Sequence, residues 1–136
     1  MVKIEAKVAE FLKEPNLATF ATLRKTGVPH LTYLWFVFDG KDFLVSTTKD
    51  RLKTRHLQRD PRASIAIVDS KNQYRWVVAE GKVEISDDSD YSFLEKLMTN
   101  WEGPERGKAY AERERQNKVQ RVILRLEPER LSSRGI

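Results

Sequence analysis

The chain has 136 residues, with 25 lysines and arginines against 20 aspartates and glutamates and a formal net charge of +5. That length suits one domain with a sizeable core, and 40% hydrophobic with 33% charged residues excludes a disordered or fibrous chain. Without any cysteine there are no disulfides, thiolate metal sites or thiol nucleophiles; the lack fits a reducing compartment, and the basic balance suits an anionic ligand.

Ile4, Val8, Phe11 and Leu12 share one face at helical spacing, so a short amphipathic helix is expected, ended near Glu14 by Pro15. Met1 to Glu14 holds no apolar core of an export signal, and the longest strongly apolar run, Leu34 to Phe38, is too short for a bilayer. A cytoplasmic protein without membrane contact is expected. Leu17 to Leu23 reads as a strand and Arg24-Lys25-Thr26-Gly27 as a turn. Val28 to Phe38 reads as a second strand, with Pro29 near its start where a missing N–H is tolerated. Asp39-Gly40 is a hairpin signal leading into a third strand, Asp42 to Ser46.

A basic helix follows, closed by Asp60-Pro61. Arg62 to Val68 is strand, Asp69 to Gln73 a turn, and Tyr74 to Ile85 a long strand with Gly81 as its bulge. Ser86 to Asp90 is an N-cap cluster for a helix from about Asp90 to Trp101, and Glu105 to Asn117 makes a second, highly charged helix. Val119 to Leu126 alternates as a sixth strand that Pro128 ends, leaving Ser132 to Ile136 as a tail. Six antiparallel strands with flanking helices make a mainly β, α+β single domain over residues 1–136, arranged as a small barrel. Leu34, Trp35, Phe36, Val37 and Phe38 leave the second strand no polar face, so both its sides must be covered. One side lines a barrel; the other needs a helix, a flat ligand or a second subunit.

The stretch from Ser46 to Arg59 carries the strongest chemical signal. Ser46, Thr47 and Thr48 precede a helix bearing Lys49, Arg51, Lys53, Arg55 and Arg59. Hydroxyl N-caps are favoured, but cations at a helix N-terminus oppose its dipole. Hydroxyls, free amides and cations together suit a phosphate. His30 and His56 are the only histidines and have no metal-like spacing; no nucleotide-loop or nucleophile-elbow pattern is present. Glu5, Glu10, Glu14, Glu112 and Glu114 read as solvent-facing, so no acid–base pair stands out. Arg51, Arg55 and Arg59 at i, i+4, i+8 resemble a nucleic-acid ridge, but no aromatics interleave with them and no helix-turn-helix surrounds them. A nucleic-acid partner is not expected.

The ordered set Asn16-Leu17-Ala18-Thr19, Gly27-Val28-Pro29-His30, Tyr33-Leu34-Trp35-Phe36, Leu44-Val45-Ser46-Thr47, Arg51-Leu52-Lys53 and Leu57-Gln58-Arg59-Asp60-Pro61-Arg62 resembles the pyridoxamine-phosphate-oxidase-like flavin and deazaflavin reductases. The resemblance implies a split β-barrel of the FMN-binding type, forming a homodimer with cofactor sites at the interface. It implies that Ser46, Thr47, Thr48, Arg51 and Lys53 hold the cofactor phosphate and that the Thr32, Tyr33, Leu34 and Trp35 backbone lies along the ring. The other subunit would contribute near Arg75 and Trp76. A basic residue that phosphate-binding oxidases carry on the second strand falls at Val37, and a common Asn is replaced by His56. The basic C-terminal motif of true pyridoxamine phosphate oxidases is absent, which argues against that reaction. The Arg-x-Lys helix resembles the branch using coenzyme F-420. The expected activity is hydride transfer to an unsaturated or electron-poor small molecule, with the proton from solvent or Tyr33. FMN is the alternative cofactor, and a non-enzymatic cofactor- or haem-binding protein the alternative role.

Overall fold

The computed structural model describes residues 2–136. Its strands are β1 (Ala18–Leu23), β2 (Pro29–Leu34), β3 (Val37–Phe38), β4 (Phe43–Thr48), β5 (Arg62–Val68), β6 (Trp76–Asp87) and β7 (Arg121–Arg134). The helices are α1 (Ala6–Phe11), α2 (Leu52–Arg59), α3 (Ser92–Glu102) and α4 (Pro104–Gln116). All strand pairs are antiparallel, in the order β2-β1-β5-β6-β7-β4-β3.

Seven strands replace the expected six because the segment Val28 to Phe38 breaks at Trp35-Phe36. Its first part pairs with β1, its second with β4. The two halves are the two edges of the sheet, yet only two residues separate them. A chain that short reaches about 10 Å, so the edges must lie close and the sheet must curl. The result is a split barrel, the architecture expected from the resemblance.

The last strand also departs from expectation. Pro128 does not end it; β7 runs on to Arg134, and the supposed tail pairs Ser132, Ser133 and Arg134 with Val78, Val77 and Trp76. Pro128 sits opposite Gly81, where the register shifts between Glu80 and Gly81. The bulge removes the need for the N–H that proline lacks. A side chain at position 81 would bring its Cβ to 2.0 Å from the Glu127 carbonyl oxygen, so only glycine admits this approach.

Alternation decides which residues turn inward. Ala18 and Phe20, Phe43 and Val45, Ile65 and Ile67, Val77 and Ala79, and Val122, Leu124 and Leu126 fill the barrel, with Phe36 and Phe38 from the bend. Val8, Phe11 and Leu12 plug it from α1. A second cluster covers the outside of β4: Leu44 packs with Phe93 and Leu97 of α3, and Trp35, Val37, Met98, Trp101 and Ile123 lean against it. The second strand's two apolar faces are thus a core face and a helix-covered face. Asp88 caps α3 by accepting from the Phe93 and Leu94 amides at 3.1 and 2.9 Å. Helices α3 and α4 meet closely at Gly107, whose absent Cβ would lie 2.8 Å from the Thr99 nitrogen.

One face of the sheet has no cover. Tyr33, Thr19, Ala66 and Val78 form a row across β2, β1, β5 and β6, with Leu31 and Ala21 beside it. Tyr33 is 77% exposed and Leu31 62%.

Candidate functional site: a basic pocket beside the strand bend

The hydroxyl run does not cap the basic helix. It forms the end of β4, and α2 begins only at Leu52, with Arg51 in the N-cap position and no side chain capping the first amides. The run is used otherwise: Thr48 Oγ1 donates to Asp50 Oδ1 at 2.7 Å, and the Thr48 carbonyl accepts from Thr54 Oγ1 at 2.8 Å. Successive strand residues face opposite ways. Ser46 and Thr48 therefore point outward while Thr47 is buried on the inner face. The structure does not bring the Ser46 and Thr47 hydroxyls to a common point.

It does bring Ser46 to a basic group. Arg121, on β7, donates from Nη2 to Ser46 Oγ at 2.8 Å and from Nη1 to Glu114 Oε1 at 3.1 Å. Sequence reasoning missed Arg121 and placed Glu114 on a solvent face. Glu114 is buried, because α4 lays that side of the helix against β7. The arginines of β7 were the available signal: Arg121 and Arg125 interrupt the otherwise apolar first half of the strand, Arg121 to Leu126, and each meets a carboxylate, Arg125 pairing with Asp39 and Asp42 at 3.1 and 3.0 Å.

Lys53 projects from the first turn of α2 and is half-buried, with no ion-pair partner among the described residues. Burial lowers its pKa, and the positive charges of Arg51 and Arg121 lower it further. Three cations thus share a small region with one carboxylate. On the barrel side lie the two histidines, whose rings meet edge to face with centroids 5.2 Å apart. His56 Nδ1 contacts Thr22 Oγ1 at 2.8 Å, and His30 Nδ1 contacts Arg24 Nη2 at 3.1 Å. Burial first, then neighbouring positive charge, holds both imidazoles below their ordinary pKa. The charges of Arg24 and Lys53 act on His30, those of His30 and three arginines on His56.

Beside Arg121 opens a cavity of about 320 Å³, lined on one side by Leu34, Trp35 and Ser46 and on the other by Met98, Glu102 and Tyr110. The Trp35 ring stacks on Trp101 with centroids 5.1 Å apart, and Trp101 Nε1 donates to the Phe36 carbonyl at 3.2 Å, fixing the bend. The strand bend and the hydroxyl run, 11 positions apart in sequence from Trp35 to Ser46, line one space.

Other expected residues lie elsewhere. Arg75 pairs with Glu14 at 3.3 Å and with Asp69, and its guanidinium covers the Phe11 ring. These contacts anchor α1 and leave Arg75 engaged within its own chain; Glu14, expected to be solvated, is one of its partners. Trp76 lies on the uncovered sheet face with Leu17, Thr19, Val68 and Val78. Arg59 donates to the Leu23 carbonyl, and Arg55 is exposed.

A phosphate-bearing flat cofactor fits these residues on two structural grounds. Buried polar atoms lack partners among the described residues at Thr32 Oγ1 and Arg121 Nε, one on β2 and one at the cavity. Such groups are costly unless something meets them. The cations Arg51, Lys53 and Arg121 outnumber the Glu114 carboxylate beside them, Glu102 at the cavity wall being paired with Arg106, so an anion would relieve their mutual repulsion.

The pyridoxamine 5'-phosphate oxidase family profile matches residues 4–135. A curated protein of Mycobacterium tuberculosis named F-420H(2)-dependent biliverdin reductase is 29% identical over 80 residues, covering 59% of this chain and 58% of that protein. The chain thus matches little more than half the length of that relative. Among solved structures, one named F-420 reductase superposes with a TM-score of 0.78 at 28% identity, covering 95% of this chain and 98% of its own. A conserved hypothetical protein of Mycobacterium tuberculosis superposes with a TM-score of 0.77 at 29% identity, covering 98% and 86%.

Proposed function

The chain belongs to the pyridoxamine 5'-phosphate oxidase family, and on that premise we propose that it is an oxidoreductase using coenzyme F-420. The observation that carries this reading is the junction of a cationic cluster and an aromatic cavity: Arg121 and Ser46 line the cavity with Trp35, and the charges of Arg121 and Arg51 both act on Lys53. A tricyclic ring with a phosphate-bearing tail matches that division into a flat apolar half and a basic half. Its similarity to a protein named F-420 reductase supports the deazaflavin over the flavin.

In this reading Lys53 and Arg51 clamp the phosphate and Ser46 donates to it. Thr32 Oγ1, buried and unpartnered, meets a polar atom of the ring edge, and the Thr32–Trp35 backbone lies along the ring. The cofactor supplies the hydride chemistry when bound; the protein orients it and excludes water. Trp35, locked against Trp101, is a rigid wall that keeps an unsaturated or electron-poor acceptor close to the reacting face. In the same reading the uncovered row Tyr33-Thr19-Ala66-Val78 is the homodimer surface, across which the other subunit would contribute near Trp76.

Titration of the purified protein with F-420 and FMN, followed by ring fluorescence, tests the assignment. Tight F-420 binding that weakens in Lys53→Ala is expected. A yellow protein that retains FMN and ignores F-420 would overturn the cofactor, and a Soret band on adding haem would favour the binding-protein alternative.

A further inference from the structure

Two donors in the cavity beside Ser46 have no acceptor. An arginine side chain only donates, so at the 2.8 Å contact with Arg121 Nη2 the Ser46 oxygen accepts. The serine's own proton is therefore directed elsewhere, polarised by the guanidinium behind it. Arg121 Nε–H is buried with no partner among the described residues, and both residues line the same space. Together they make a two-donor cradle for an oxyanion.

Behind the cradle stands a carboxylate. Glu114 Oε1 is 3.1 Å from Arg121 Nη1, and the two side chains are only 12% and 10% exposed, so water screens them little. Glu102, at the cavity wall, is neutralised by Arg106 at 2.8 Å, so three cations minus the Glu114 carboxylate leave a local charge of +2. We propose that Glu114 is a specificity-determining residue, whose buried charge makes the site favour a singly charged phosphodiester over a doubly charged phosphate monoester. Coenzyme F-420 carries the former and FMN the latter. The inference rests on reading this site as the phosphate end of the cofactor site.

Glu114 has two opposed effects. It holds Arg121 in place, which helps any anion, and it repels any anion. A positioning effect through a charge-assisted hydrogen bond is worth roughly a factor of 12 to 150. A carboxylate about 7 Å from the anion, at an effective dielectric of about 20, weakens a monoanion by roughly fiftyfold and a dianion by the square of that. For a monoanion the two effects are comparable; for a dianion repulsion wins.

The test compares FMN with riboflavin, which has the same ring and no phosphate, and with F-420, at pH 8, where a monoester is doubly charged. Glu114→Gln is expected to raise the FMN-to-riboflavin affinity ratio at least about tenfold, and the F-420 affinity by less. Because Glu114→Gln leaves a buried arginine unpaired, Glu114→Asp, which disturbs the packing and keeps the charge, is measured beside it. Its ratio should stay within twofold of the parent. A Glu114→Gln ratio within twofold of the parent, or an equal rise in Glu114→Asp, overturns the proposal, since a merely structural Glu114 would alter all three ligands alike. If F-420 binds the parent but the ratio does not move, this inference alone fails. If the ratio moves but F-420 does not bind, the cofactor reading alone fails.

Discussion

Lys53 offers a perturbation with two opposite readouts. Its ammonium is half-buried, unpaired among the described residues and repelled by Arg51 and Arg121, so the fold disfavours its charged form. A lysine whose folded pKa lies below its ordinary value destabilises the protein at every pH below that folded value. The penalty is relieved as pH rises from the depressed value towards 10.5. Lys53→Met removes the charge and keeps an apolar stem of similar length, so the empty protein should gain a few tenths to about 1 kcal/mol. For a chain of this size that is roughly 1 to 5 °C in Tm. The anion site should lose a charge-assisted hydrogen bond worth about 1.5–3 kcal/mol, or roughly tenfold to 150-fold in F-420 affinity. Thermal melting without ligand and fluorescence titration with it measure the two. A variant that melts lower and binds equally well would refute the argument, because Lys53 would then be a packing residue.

Three further expectations follow from other parts of the fold. His56 is buried with a pKa held below 6.5, so its neutral form stabilises the fold above pH 6.5, and that stability is lost as pH falls through the depressed folded value. His56→Asn should flatten the acid side of a Tm–pH profile below 6.5, while the parent slopes down; equal slopes would remove His56 as the cause. Gly107→Ala places a Cβ 2.1 Å from Thr99 Oγ1 and 2.8 Å from its nitrogen, so α3 and α4 must part; a loss of about 1–3 kcal/mol in denaturant melts is expected, and no change in midpoint would contradict that packing. Tyr33→Asp puts a charge at the centre of the uncovered sheet face, and light scattering should shift from dimer to monomer mass with the far-ultraviolet dichroism unchanged.

The pattern of residues carried much of this. The strand alternation, the bulge at Gly81 and the basic helix were legible because each depends on neighbours within a few positions. The two-sided apolar run Leu34 to Phe38 announced a strand covered on both faces. What it did not announce is the break at Trp35-Phe36, since a change of hydrogen-bonding partner leaves no local mark. Pro128 misled for a similar reason: proline ends a strand unless a bulge stands opposite, and the bulge lies 47 positions earlier.

The candidate site divides in the same way. Ser46, Arg51 and Lys53 stand close together in sequence, and hydroxyls with cations at a helix start point to an anion whatever the rest of the chain does. Arg121 and Glu114 reach that anion site only because β7 pairs with β4, setting Ile123 opposite Ser46, and α4 folds back over the pair. Such pairings depend on tertiary packing between segments 75 residues apart, beyond the reach of local propensity. The sequence by itself thus determined the element types, the two-faced strand and the clustering of hydroxyls and cations from Ser46 to Lys53. Only the tertiary structure decided that Ser46 and Thr47 face apart, that Arg75 is engaged with Glu14 and Asp69, and that a buried carboxylate stands behind the cations. Charge on a surface helix is tolerated almost anywhere; a carboxylate buried beside an arginine holds only where the fold excludes water.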